Sequence, residues 1–349
     1  MNRRFWIFSL VVTVSISSCK KSSNGGGNPP PPTPTPTNTF TNPLLSSGPD
    51  PWIVKQGNAY YYTHTLGDRI AIWKTTKVSD LRNVTPQTIW SAPATGPDSK
   101  EVWAPEIHFI NNKWYAYYAA DDGNNANHRM FVLENSSADP LTGTWVSKGK
   151  ISDASDKWAI DGTVLDYNNQ LYFIWSGWEG NTNVRQDIYI AKMSDPWTIQ
   201  GNRVLISMPT FDWEKIGDPD VNEGPEVLKN AGGRVFLLYS ASGCWTDDYS
   251  LGMLTLKSGG DPLNAADWTK SSTPVFSKNP SASAYAPGHN AFFKSTDGAE
   301  DWIIYHANSQ PNQGCGNTRS PRMQKFTWNT DGTPNFGTPI STGTKPSGE

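Results

Sequence analysis

The sequence has only three cysteines and five histidines, and none sits at a spacing that would build a zinc or other transition-metal site. Excess charge is also missing. Basic residues number 29 and acidic residues 32, for a net charge of −3, and no Lys/Arg run follows the N-terminal region. Nothing therefore points to nucleic acid. Apolar residues make up 36% of the chain, low for a globular protein. The one long apolar stretch, Phe5 to Ile16, is too short to span a bilayer. No helical pattern runs longer than a turn or two, which leaves an all-β protein.

Aromatic rings take the place of the missing aliphatics: 16 Trp, 13 Tyr and 13 Phe. Each buried ring removes far more surface from water than an Ala or Val. The 30 Gly and 27 Pro imply many turns between short strands. Surplus Trp and Tyr on a nearly neutral chain also suit sugar binding, because the C–H faces of sugars stack on aromatic rings.

Residues 1–19 read as a targeting segment. Arg3 and Arg4 give the positive start, Phe5 to Ile16 the apolar stretch, and Ser17-Ser18 the small residues before Cys19. Ile16-Ser17-Ser18-Cys19 resembles a bacterial lipoprotein signal, with Cys19 lipidated as the mature N-terminus; a plain secretory signal is the alternative. Residues 20–42 are rich in Gly, Pro and Thr and read as an extended spacer. An enzyme anchored in the periplasm or at the cell surface is the expectation.

Residues 43–349 carry a repeat. A turn opens each copy, an apolar strand follows, then a tight polar turn and an aromatic strand. Asp50-Pro51-Trp52 leads to Ala59-Tyr60-Tyr61-Tyr62, and Ala104-Pro105-Glu106 to Trp114-Tyr115-Ala116-Tyr117. Asp161-Gly162-Thr163 leads to Leu171-Tyr172-Phe173, Glu223-Gly224-Pro225 to Val235-Phe236-Leu237, and Ala286-Pro287-Gly288-His289 to Trp302-Ile303-Ile304. A further strand and a Ser/Asp/Pro turn complete most copies. Five copies of about four strands predict a five-bladed β-propeller.

The innermost strands of a propeller line its central channel, so the blade openings converge on one mouth. The five openings differ, which suits a single asymmetric site better than a repeated lectin site. Three of them carry carboxyls: Asp50, Asp161 and Glu223. Glycoside hydrolysis needs two carboxyls about one bond, and a third nearby raises the pKa of the acid. These residues alone do not say which carboxyl plays which part. Asp195-Pro196-Trp197 repeats the Asp50-Pro51-Trp52 tripeptide at an outer turn, so register carries the signal, not the tripeptide.

With these motifs in place, the chain from about Asn42 to its end resembles glycoside hydrolase family 43. The resemblance implies inverting enzymes acting on arabinose- and xylose-containing polysaccharides. It implies Asp50 as general base, Asp161 as modulator of the acid's pKa, and Glu223 as general acid. It also implies sugar contacts from Trp103, Glu106, Ile160 and Arg322. His289 matches a central histidine that in relatives lies near a calcium or sodium ion; a hydrogen-bonded core histidine explains it equally well. No other cofactor is implied. Ser242 to Tyr249 and Ala286 to Asn290 are similar to α-L-arabinofuranosidases, with β-xylosidase and galactofuranosidase activity as neighbouring alternatives. A catalytically dead glycan-binding propeller is the alternative of another class. The expected partners are a plant-type polysaccharide and, through Cys19, a membrane. A monomer is expected.

Cys244 and Cys315 remain as an even pair in an exported protein and are expected to form a disulfide. Two loops are long enough to close the mouth into an exo-type pocket: Trp178 to Arg185 and Asn308 to Pro321. If both rim the site, Trp178 is placed to pack on a sugar face.

Overall fold

The computed structural model describes residues 39–346. The targeting segment, Cys19 and most of the expected spacer lie outside the described residues.

Five four-stranded antiparallel units follow one another along the chain. Blade one comprises Trp52–Gln56, Ala59–Thr63, Arg69–Thr75 and Gln87–Ser91. Blade two comprises Lys100–Ile110, Lys113–Asp121, Arg129–Asn135 and Val146–Ile151. Blade three comprises Ala159–Tyr167, Gln170–Gly177, Arg185–Asp195 and Thr198–Ser207. Blade four comprises Asp220–Lys229, Val235–Ala241, Ser250–Leu256 and Trp268–Lys270. Blade five comprises Tyr285–Lys294, Asp301–Asn308, Ser320–Trp328 and Pro334–Asn335. The longest helical segment among the described residues is the 3-10 turn Val78–Asn83. The inner hairpins of blades two and three close through Asn111-Asn112 and Asn168-Asn169. All four asparagines have φ between 50° and 62°, the left-handed pair that a two-residue hairpin turn demands.

The first strand of each blade contacts the first strand of the next, and the ring closes from blade five back to blade one. The fold is a five-bladed β-propeller. Its apolar core is divided among the seams between sheets. One cluster joins blades five, one and two; the others fill the seams two–three, three–four and four–five. Second strands are the most deeply buried, as in Val235–Ala241, where every residue is buried. The third strand of blade three also meets the first strand of blade four, Arg185 and Gln186 pairing in parallel with Asp220 and Val221.

The fold begins earlier than the expected boundary at residue 43. Thr39–Asn42 pairs with Gly343–Pro346, and Phe40 is buried edge-on against Trp302 at 5.4 Å. The Asn42 side chain donates to the Met323 carbonyl and accepts from the Met323 N–H. Chain entering blade one is thereby stitched to blade five, which secures the seam where the ring begins and ends.

A candidate active site at the blade openings

Each opening carries a residue in the left-handed region, Asp50, Ala104, Asp161, Gly224 and His289, with φ between 41° and 56°, and blade five adds Ala286 at 48°. In blades two to five this residue lies in a register shift of the innermost hairpin. A bulge bends the strand and re-aims its side chains. Asp50 and Asp161 occupy this position themselves. Glu223 stands one residue earlier, where blades two and three carry Trp103 and Ile160. Glycine takes the left-handed position of blade four, and the acidic side chain comes from its neighbour. The sequence places the three carboxyls in one register; the structure sets Glu223 one residue out of it.

The openings surround one cavity of about 720 Å³. Asp50, Trp103, Ile160, Asp161, Glu223 and His289 all reach it. Asp50 is buried, and each of its oxygens accepts one hydrogen bond. Thr65 Oγ1 donates to Oδ2 at 2.7 Å and Arg319 Nη1 to Oδ1 at 2.7 Å. Its N–H donates to His306 Nδ1 at 3.0 Å, which fixes that nitrogen as an acceptor and His306 as the Nε2-protonated neutral tautomer. Burial opposes ionisation of Asp50, but the Arg319 guanidinium beside it, with the Thr65 hydrogen bond, outweighs it. Its pKa falls well below the ordinary carboxylate range.

Glu223 has the opposite environment. Burial pushes its pKa up to about 7; the Tyr249 hydroxyl, donating to Oε1 at 2.9 Å, opposes the rise, and the Asp50 charge adds to it. Asp161 accepts from the Gly224 N–H at 3.0 Å. Its pKa is raised as well, by burial first and then by the charge of Glu223. Asp161 and Glu223 thus titrate as a pair that keeps a proton near neutrality, while Asp50 is ionised. One cavity holds a carboxylate ready to accept a proton and a carboxyl ready to give one.

The sequence model of the glycosyl hydrolases family 43 matches residues 40–334. The chain belongs to that family. An extracellular exo-α-(1→5)-L-arabinofuranosidase of Streptomyces avermitilis is 43% identical over 317 residues. The match takes in 88% of this chain and 65% of that one, so the chain spans just under two thirds of its length. A second enzyme of that name, from Streptomyces chartreusis, is 38% identical over 77% of this chain and 82% of its own. The crystal structure of an α-L-arabinofuranosidase from Lactobacillus brevis superposes with a TM-score of 0.82 at 36% identity, covering 87% of this chain and 98% of that one.

Other residues expected at this family 43 site fall elsewhere. Arg322, expected on sugar hydroxyls, is fully buried and donates to the Asn308 carbonyl at 3.3 Å and to Ser309 Oγ at 3.0 Å. It supports the loop after Asn308, and Arg319, three residues earlier, lines the cavity instead. Trp178 is buried, stacked behind Trp158 at 4.7 Å and 8°, and Trp158 is the ring that faces the cavity. Glu106 lies two residues past the left-handed position and points into a narrow inner chamber, where His108 Nε2 stands 2.7 Å from it. Both long loops do reach the cavity, through Asn183 and through Cys315, Asn317 and Arg319. A disulfide joins Cys244 to Cys315, with Cα atoms 5.3 Å apart.

Thr65, Tyr249, His306 and Arg319 were not singled out from sequence. His306 ends an aromatic strand and reads as one more buried residue. The others lie in connecting loops after the second strands, where no periodicity marks them.

His289 spans both spaces, lining the cavity and the inner chamber. Among the described residues no cluster of three or more His, Cys, Asp or Glu is arranged to hold a metal ion. The buried atoms left without partners around the channel include both amide atoms of Asn290 and Oε2 of Glu226. Carboxylate and amide oxygens are the donor types that calcium and sodium take.

Proposed function

We propose that the protein is an exo-acting, inverting α-L-arabinofuranosidase that removes terminal arabinofuranose from arabinan or from arabinoxylan side chains. The observation that carries the catalytic assignment is the divergence of two carboxyls in one cavity. Asp50 is held ionised by Arg319, and Glu223 stays protonated to about pH 7. Environments that push two titratable groups apart assign the base and the acid.

In this reading Asp50 accepts a proton from the water that attacks the anomeric carbon. Glu223 donates its proton to the leaving glycosidic oxygen. Asp161 sits beside the acid, accepting from the Gly224 N–H, and burial with the charge of Glu223 raises its own pKa, so the two carboxyls hold a proton between them. Trp103 and Ile160 give the sugar an apolar wall, and His289 and Arg319 are at hand for its hydroxyls. Inversion is a property of the family, and arabinofuranose is the sugar in the names of the two Streptomyces relatives. The rim built by the two long loops supports exo action. A panel of chromogenic furanosides and pyranosides tests the sugar: release from α-L-arabinofuranoside alone supports the reading, and preference for β-xyloside overturns it.

An ion in the inner chamber would be held by Asn290 and Glu106, beside His289. It would supply positive charge beneath Asp50 and perform no bond-making step. Outside the cell the two relatives named as extracellular set the expectation for this chain. Anchoring through Cys19 is read from the Ile16-Ser17-Ser18-Cys19 motif. Metabolic labelling with a fatty acid, lost on Cys19→Ala, tests it.

A further inference from the structure

Trp245 is the one exposed tryptophan among the described residues, at 44% of its full accessibility. The ring is exposed but seated. A Cβ on Gly243 would come within 2.3 Å of it, and one on Gly217 within 3.1 Å. It therefore lies against two backbone segments that only glycine leaves low enough, with the rest of its surface open to the cavity it lines.

The loop beneath the ring is fixed from several sides. Gly243 donates to the Ile216 carbonyl at 2.8 Å, and Ile216 donates to Ser242 Oγ at 3.1 Å. The Thr246 N–H and hydroxyl both donate to the Gly243 carbonyl, at 2.9 and 2.8 Å. Cys244 is bonded to Cys315, and Asp247 Oδ1 accepts from the Asn312 N–H at 2.8 Å. A ring held this way loses little freedom when a ligand covers it.

Its place in the blade gives the ring a direction. Glu223 pairs with Ser240 across the innermost hairpin of blade four, and the Ser242–Trp245 loop continues from that second strand. Trp245 thus rises from the same hairpin as the proton donor, whereas Asp50 comes from blade one. The group leaving with the proton from Glu223 departs on this side. Trp245, Pro219 and the Cys244–Cys315 bridge form this part of the lining, an apolar surface suited to the C–H face of a sugar.

We propose that Trp245 is the stacking platform of an acceptor subsite, binding the sugar on the leaving-group side of the scissile bond. The identity of that sugar rests on the arabinofuranosidase reading; its position rests on the geometry of blade four. The protein with its disulfide intact is assayed on di- and trisaccharides of arabinofuranose and of xylose, and the best-cleaved one is carried forward. Trp245→Ala should lower kcat/KM on it by about 10-fold or more, chiefly through KM. Inhibition by the free monosaccharide product, which fills only the carboxyl end, should not change. Trp245→Phe should recover most of the loss, and the melting temperature should stay within a few degrees. An unchanged kcat/KM for Trp245→Ala overturns the proposal. So does a parallel loss of monosaccharide inhibition, which would place the ring's effect at the carboxyls. A wild type that prefers the xylosides refutes the arabinose reading instead, and Trp245→Ala is then judged on the xyloside by the same comparison.

Discussion

Arg319 Nη1 donates to Asp50 Oδ1 at 2.7 Å across 269 residues of chain. The contact joins the last blade's long loop to the first blade's opening and sets the charge of the residue assigned as the base. An opposite charge at this range lowers a carboxyl pKa by about 1–3 units. Arg319→Ala should therefore raise the Asp50 pKa. The base must be deprotonated to work, so the acidic limb of kcat/KM against pH should move upward by about one unit or more. An acidic limb that stays in place would detach Arg319 from the titration of the base.

Tyr249 should set the other limb. Its hydroxyl donates to Glu223 Oε1 at 2.9 Å and favours the ionised acid. Tyr249→Phe removes that bond, so the Glu223 pKa should rise beyond its value of about 7. The acid then stays protonated to higher pH, and the alkaline limb should shift upward while the acidic limb stays. A downward shift of the alkaline limb would contradict the assignment.

Folding stability should carry the same signature. The folded state holds Glu223 neutral to about pH 7, against an ordinary value of 4.5. Between those values the unfolded chain releases this proton and the folded chain keeps it. The contribution is thus full below pH 4.5 and is lost as pH rises through about 7. Glu223→Gln, which cannot ionise, should raise the melting temperature at pH 8 by more than at pH 4. Equal changes at both would mean that Glu223 has no raised pKa.

The Cys244–Cys315 bridge closes a separation of 71 residues. In the chain-entropy model a loop of that length is worth about 4 kcal/mol. Cys244→Ser with Cys315→Ser should lower the melting temperature by several degrees, and reductant should do the same to the wild type alone. Because both cysteines line the cavity, KM for oligosaccharides should rise as well. A double variant that melts with the wild type, and a wild type unmoved by reductant, would show that the bridge holds nothing in place.

Much of this architecture is legible in the chain. The Asn-Asn hairpins, the aromatic second strands and the five dissimilar openings follow from local turn chemistry and period-two patterning, which neighbouring residues dictate. Asp50 and Asp161 stand out because they sit at the left-handed step of the repeat. Glu223 stands out for its neighbours, although its side chain comes from the preceding position. Arg319 and Arg322 show where such reading stops. Arg319 ends the long loop and Arg322 lies in the strand that follows it, three residues on, and only the packed structure decides which guanidinium is buried and which meets Asp50. Trp178 and Trp158 divide in the same way, since stacking hides one ring behind the other. The early start of the fold at Thr39 was hidden for a related reason. A four-residue strand that pairs with residues some 300 positions away has no local signal beyond Phe40.

The most direct test of the whole account is proton NMR of the first sugar released from an α-(1→5)-linked arabino-oligosaccharide, followed from the earliest seconds of reaction. The account predicts free arabinose as the only early product, released from the non-reducing end and appearing first as the β-anomer before it equilibrates. Early internal fragments, or arabinose appearing first as the α-anomer, would contradict it.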